Sequence, residues 1–285
     1  MGYCIYSNSD VADVDLNDEH IFPLTLGGHD RFTIKVSKFA NVRANKEIDE
    51  KLKACPFLAT NRKRHGTTGH RSKTVNPPKA KITSRSDKSI VFKFDNNDLL
   101  QLYSHKRLKF LTAENIKAEG LTLSLRHEKN LRLKFSAKVA LASGYYVYKH
   151  IFVKNAKVED LRALMNYLGK CHDETAFDNI TSTGWYWPKL VDASDADMQS
   201  IFQSINDTFD CSFVALITSA VPDKIIFVVG VLGHLTGVIS CPANCDKFPK
   251  YGDYDLGHVI ILRGNKVERL SFRECLQAAA NFSNS

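Results

Sequence analysis

The chain has 285 residues, 44% hydrophobic and 25% charged, a balance of globular proteins that bury a large core. Its longest apolar run, Ile225 to Leu232, has only strand length, so no membrane helix is expected. The net charge of +8 is unevenly placed: Lys51, Lys53, Arg62, Lys63, Arg64, Arg71, Lys73, Lys79, Lys81, Arg85 and Lys88 face one nearby acid, Asp87. That segment favours a polyanionic partner, with a solvated linker as the alternative.

The N-terminus MGYCIYSNSD has neither a basic start nor a long apolar stretch, so no signal peptide is expected, and Gly2 lacks the basic cluster of a myristoylation site. Seven scattered cysteines suggest reduced thiols and a cytoplasmic location. In chain order, Asp18–Gly28 (DEHIFPLTLGG) is predicted to be a strand running into a glycine turn. Arg31–Val36 alternates like a half-buried second strand. A helix from Lys38 to Leu52 follows, with Ser37 as N-cap; Val42, Asn45 and Asp49 are expected on one face, Asn41, Ile48 and Leu52 on its neighbour. Residues 61–88 carry Gly66, Gly69, Pro77 and Pro78 among charges and read as a loop or arm.

Beyond the arm, Ser89–Phe94 and Leu131–Phe135 read as strands; Ala137–His150, Val158–Leu168 and Ala196–Asp207 read as helices. Cys211–Thr218, Lys224–Val231 and His258–Leu262 read as strands before a helix over Phe272–Ala280. The expected fold class is α+β: an N-terminal module over 1–60, a basic arm over 61–88, and a larger mixed domain with an antiparallel sheet over 89–285. A sensor, DNA-binding or oligomerisation role is open for that last domain.

A strand–loop–strand–helix unit brings Glu19 and His20 near Asn41 in the first turn of the helix. A carboxylate and an amide oxygen are hard ligands suited to Mg²⁺, and a neighbouring imidazole can take a proton from water. These are the parts of metal-assisted phosphodiester hydrolysis.

Residues 18–52 resemble an HNH (ββα-metal) endonuclease of the subgroup reading E-H-I-x-P-x-x-L-G-G, then C-x-x-C-N, then D-x-x-L. The matching residues are Glu19 to Gly28, Ser37 to Asn41, and Asp49 to Leu52. Leu58 to Gly66 is similar to the basic stretch after the module, and Ala137–Leu141 with Asp160–Arg162 resembles, more weakly, the C-terminal regions of relatives. The resemblance implies His20 as general base, Glu19 and Asn41 as ligands of Mg²⁺ or Mn²⁺, and Asp18 as a ligand if the register slips by one. It leaves Asp49 without a defined role. Arg62, Lys63, Arg64, Arg71 and Lys73 would grip the DNA backbone. Relatives carry a zinc on two C-x-x-C pairs; here the positions are Cys4, Ser7, Ser37 and Ala40, so a structural zinc is not expected and packing must hold the module.

The implied activity is DNA cleavage, in restriction, mobile elements or phage defence. RNA stays open as a substrate, as do a homodimer and an activating ligand or phage protein. The alternative is a decayed nuclease that binds DNA or regulates, or an effector switched on by a ligand. Cys241 and Cys245 with His234 and His258 read as buried thiols and satisfied histidines before a metal site. Trp185-Tyr186-Trp187 reads as core before a base-stacking platform. Cys171-His172 is not expected to form a catalytic pair, and Gly233–Gly237 lacks the lysine of a phosphate loop.

Overall fold

The structure, a computed structural model, describes residues 1–69, 74–78, 81–124, 131–166, 182–183, 193–221 and 223–283. It is mixed α+β with antiparallel sheets, as the sequence predicts. The contacts group the chain into two units, Met1–Leu52 with Lys129–Ser285, and Lys53–Glu128. This division differs from the linear one at 60 and 88, because apolar side chains of the first fifty residues are covered by elements that follow residue 130.

The first unit opens with a hairpin of β1 (Gly2–Cys4) and β2 (Ser9–Val11). β3 (Leu16–His20) then pairs antiparallel with β4 (Thr33–Ser37), setting Asp18 opposite Lys35 and His20 opposite Thr33. Helix α1 (Lys38–Ala44) starts at once, capped by the Ser37 hydroxyl, which accepts from the Ala40 N–H at 3.2 Å. One π-helical turn, Asn45–Asp49, joins it to α2 (Glu50–Lys53). Ile48 and Asp49 of this turn are buried together with Leu52. Val42 and Asn45, expected to share a face with Asp49, are exposed instead.

The second unit begins with α3 (Pro56–Arg64), which has proline at its start. β5 (Lys81–Thr83) pairs with the distant β9 (Thr122–Ser124). Between them lie the meander β6 (Ile90–Phe94), β7 (Leu100–Ser104) and β8 (Lys109–Phe110), and helix α4 (Ala113–Glu119). The segment expected to be a loop or arm over 61–88 thus holds the end of α3 and all of β5; non-local pairing makes the strand, and no local apolar period announces it. Asp87 braces this unit, accepting from the Ser89 N–H at 2.8 Å, the Ser89 hydroxyl at 2.6 Å and the Ser104 hydroxyl.

The first unit resumes with α5 (Leu131–Tyr148), α6 (His150–Asn155) and α7 (Val158–Asn166). Leu131–Phe135, read as a strand from its alternation, is the first turn of α5. The helix is buried from several sides, including Arg132 and Lys134, so no single apolar stripe marks its period. β10 (Ser182–Thr183) and α8 (Ala193–Phe209) precede the main strands β11 (Ser212–Val221), β12 (Lys224–Val231), β13 (His234–Pro242), β14 (Gly257–Arg263) and β15 (Lys266–Ser271), and α9 (Phe272–Ser283) closes the unit. The sheet order is β10-β13-β12-β11-β14-β15, antiparallel throughout.

One sheet face packs on Phe202, Ile205 and Phe209 of α8 and on Phe272, Cys275 and Ala279 of α9. The opposite face meets α5 and α6, with Phe152 against Phe227 and Tyr148 against His258. Burial on both faces explains the unbroken apolar run of β12. Leu232 and Gly233, both at positive φ, make the tight turn into β13, so the Gly233–Gly237 segment is a hairpin.

Candidate functional site

The DEHIFPLTLGG stretch is embedded in the first unit. Ile21, Phe22 and Leu26 are fully buried; Phe22 packs edge-on to Phe135 of α5, and the Ser212 hydroxyl of β11 donates to the Leu26 carbonyl at 2.7 Å. Gly27 takes a left-handed conformation at φ +76°. A Cβ on Gly28 would collide with the Phe22 carbonyl, so the second glycine lets the loop fold back on itself.

Strand alternation sends Glu19 and His20 to opposite faces of β3. His20 faces outward, 28% exposed at its side chain, with Nε2 2.9 Å from Asp30 Oδ1 at the far end of the turn. Asp18 also faces outward and pairs with its cross-strand neighbour Lys35 at 2.9 Å. Glu19 faces inward and is buried. Its Oε1 lies 2.6 Å from Nζ of Lys138 on α5. The same ammonium donates to Asp49 Oδ2 at 2.6 Å and to the His20 carbonyl at 3.4 Å. Asn41 turns its amide toward β3, donating to Asn17 Oδ1 at 3.1 Å and to the Asp18 carbonyl at 3.3 Å.

The charges of this buried cluster shift one another. Burial raises the Asp49 carboxyl, Lys138 opposes that and Glu19 adds to it, leaving Asp49 at about 7. Burial pulls Lys138 down, but Asp49 and Glu19 outweigh it and raise the ammonium overall. The enclosed Tyr6 phenol is held well above its ordinary value by burial and then by the two carboxylates.

Magnesium or manganese requires an oxygen of Asn41 to converge on one point with an oxygen of Glu19, or of Asp18 in its place. They diverge: the Asp18 carboxylate lies on the outer face with Lys35, Glu19 lies inside against an ammonium, and the Asn41 N–H groups point at β3. The residues present do not fit the ion that the resemblance implies.

Of the four positions where the resemblance would place a zinc, Cys4, Ser7 and Ser37 come together. The Ser37 N–H donates to Cys4 Sγ at 3.2 Å. Burial pushes the Cys4 thiol up, but hydrogen bonds from Ser7 and Ser37 outweigh it and leave the thiol lowered. A hydrogen-bonded thiol thus ties the β1–β2 hairpin to the start of α1, and Ala40 serves the helix cap. From the other side Arg162 of α7 holds the same hairpin, donating to the Ile5 carbonyl at 2.7 Å, Tyr3 Oη at 3.1 Å and Asn8 Oδ1 at 3.0 Å.

Among the expected backbone-gripping residues, Arg62 is buried and bonds the carbonyls of Lys53 and Thr67, so it clamps α3 rather than reaching outward. Lys63 pairs with Asp98 at 3.0 Å and lies over Phe94, while Arg64 is exposed beside His65. Arg71 and Lys73 lie outside the described residues, as do Cys171-His172 and Trp185-Tyr186-Trp187.

Cys241 and Cys245 are buried, and the Cys245 thiol donates to the Lys224 carbonyl at 3.1 Å. Burial, then Arg269, lowers His258 to about 4, and burial, then Arg132, lowers His234 to about 4. The six cysteines among the described residues are free and buried.

Lys138 and Arg162 were not among the site residues expected from the sequence. A lysine inside the apolar run Ser136-Ala137-Lys138-Val139-Ala140 was the available signal, since a buried ammonium demands carboxylates. No family model, curated protein or solved structure matches the chain.

Proposed function

We propose that the chain is an endonuclease that hydrolyses DNA phosphodiester bonds, with His20 as general base. The observation that carries this reading is the His20–Asp30 pair at the mouth of a ββα unit. Asp30 accepts from Nε2–H, which fixes the tautomer and makes Nδ1 the basic nitrogen. That nitrogen takes the proton of a water attacking phosphorus in line, and the bond to the leaving oxygen breaks. Asn41 ties α1 to the strand that carries the base. The exposed Arg64, with Lys63, supplies backbone contacts that position the nucleic acid without reading its sequence.

The buried Glu19–Lys138 ion pair favours a second reading, a DNA-binding protein on a nuclease scaffold that no longer cuts. Plasmid nicking, measured with Mg²⁺, with Mn²⁺ and in EDTA, separates the two. On the first reading His20→Ala slows cleavage by about 10²–10⁴-fold while DNA binding persists. Undiminished cleavage by a clean His20→Ala preparation would overturn the assignment of the base, and wild-type binding without cleavage under every condition supports the second reading. Matched DNA and RNA duplexes decide the substrate.

A further inference from the structure

We propose that the Lys138 ammonium is the resident cation of the Glu19–Asp49 acid pair and closes that pair to divalent metals. Three elements meet at one nitrogen. β3 supplies Glu19 and the His20 carbonyl, the π-helical turn supplies Asp49, and α5 supplies the lysine. An ammonium has three N–H donors, and three oxygens surround it, at 2.6, 2.6 and 3.4 Å. Its side chain is fully enclosed, and both carboxylates are nearly so.

Two hard carboxylates facing each other in a buried space would suit a divalent ion that keeps part of its water shell. Here the volume and the charge are already taken by a group on a rigid, buried helix. A divalent ion could reach these oxygens only by expelling Lys138, which would leave an ammonium without carboxylates in the interior. The same lysine ties α5 to the backbone of the proposed base, so the cluster orders the His20 end of β3. That last link rests on the nuclease reading; the closure to metals does not.

The test is Mn²⁺ binding to the full chain, read by calorimetry and by thermal shift without any cleavage assay, so an inactive protein leaves it intact. Wild type and Glu19→Gln are expected to give the same Mn²⁺ isotherm, because Glu19 ligates no metal. Binding by wild type that disappears in Glu19→Gln overturns the proposal. Removing the cation should open the pair: Lys138→Ala is expected to gain several degrees of melting temperature on Mn²⁺ addition, a gain abolished by adding Glu19→Gln. A folded Lys138→Ala protein that gains nothing from Mn²⁺ also overturns it. If Lys138→Ala does not fold, the comparison of wild type with Glu19→Gln decides alone.

Discussion

Gly27 joins the DEHIFPLTLGG loop to the main sheet. A Cβ at this position would lie 2.5 Å from Ser212 Oγ and 2.6 Å from Leu232 Cδ2, and φ is +76°. The left-handed conformation alone costs a side chain about 1–2 kcal/mol. Gly264, in the same unit, has φ +55° and nothing within 4 Å of an added Cβ. Chemical denaturation is therefore expected to find Gly27→Ala less stable than Gly264→Ala, the difference measuring the contact with Ser212 and Leu232. Equal losses in the two variants would show that the loop does not depend on this close approach. At this scale the glycine turn was legible, because it belongs to a short local pattern. The lysine inside the apolar run signals a buried ammonium but does not say which carboxylates meet it, since Glu19 lies more than a hundred residues from Lys138 and strand alternation alone does not say what waits on the inner face.

Among the elements, the π-helical turn at Asn45–Asp49 decides which carboxylate goes inside. Ile48 and Asp49 lie in this turn and are buried with Leu52 of α2, while Asn45 and Lys46 at its start are exposed. Replacing the inward carboxylate of this turn, Asp49→Ala, is expected to leave the Lys138 ammonium with Glu19 as its one carboxylate. The expected loss is on the order of 3–5 kcal/mol for a broken buried pair. A urea midpoint unchanged by the substitution would mean that the fold does not depend on the ion cluster. The π-helical turn was not legible because 3.6-residue periodicity assumes its absence. The start of α5 was misread for a related reason: Leu131-Arg132-Leu133-Lys134-Phe135 alternates, yet Arg132 and Lys134 are themselves buried. Three strands of the main sheet, β11, β12 and β14, were legible as apolar runs bounded by turn residues, because burial on both faces keeps the run unbroken; β13 and β15, which carry polar residues such as Thr236, Ser240, Glu268 and Arg269, were not.

For the whole first unit, acid is the expected weakness. His234 and His258 are held near 4 by burial and by Arg132 and Arg269, against an ordinary value of about 6.5 in the unfolded chain. Because the unfolded chain binds protons first, their contribution is complete above about 6.5 and is lost as pH falls toward 4. Asp49, raised to about 7, acts in the opposite sense, favouring the folded state in acid and losing that contribution as pH rises toward 7. Two histidines against one carboxyl leave a net loss on acidification. The melting temperature should fall between pH 6.5 and 4, and His258→Gln should flatten the fall; a melting temperature that climbs over this range would contradict the balance.

The order of the chain adds a constraint in time. The residues of the His20 strand are made first, but α5 and the main sheet that enclose them follow only after the contiguous Lys53–Glu128 unit. During synthesis the second unit has all its partners while the first waits for its own. Glu19 and Asp49 therefore stay hydrated until Lys138 leaves the ribosome, and the strand that carries His20 is assembled late. The His20 strand therefore reaches its final surroundings only after more than half of the chain has been translated.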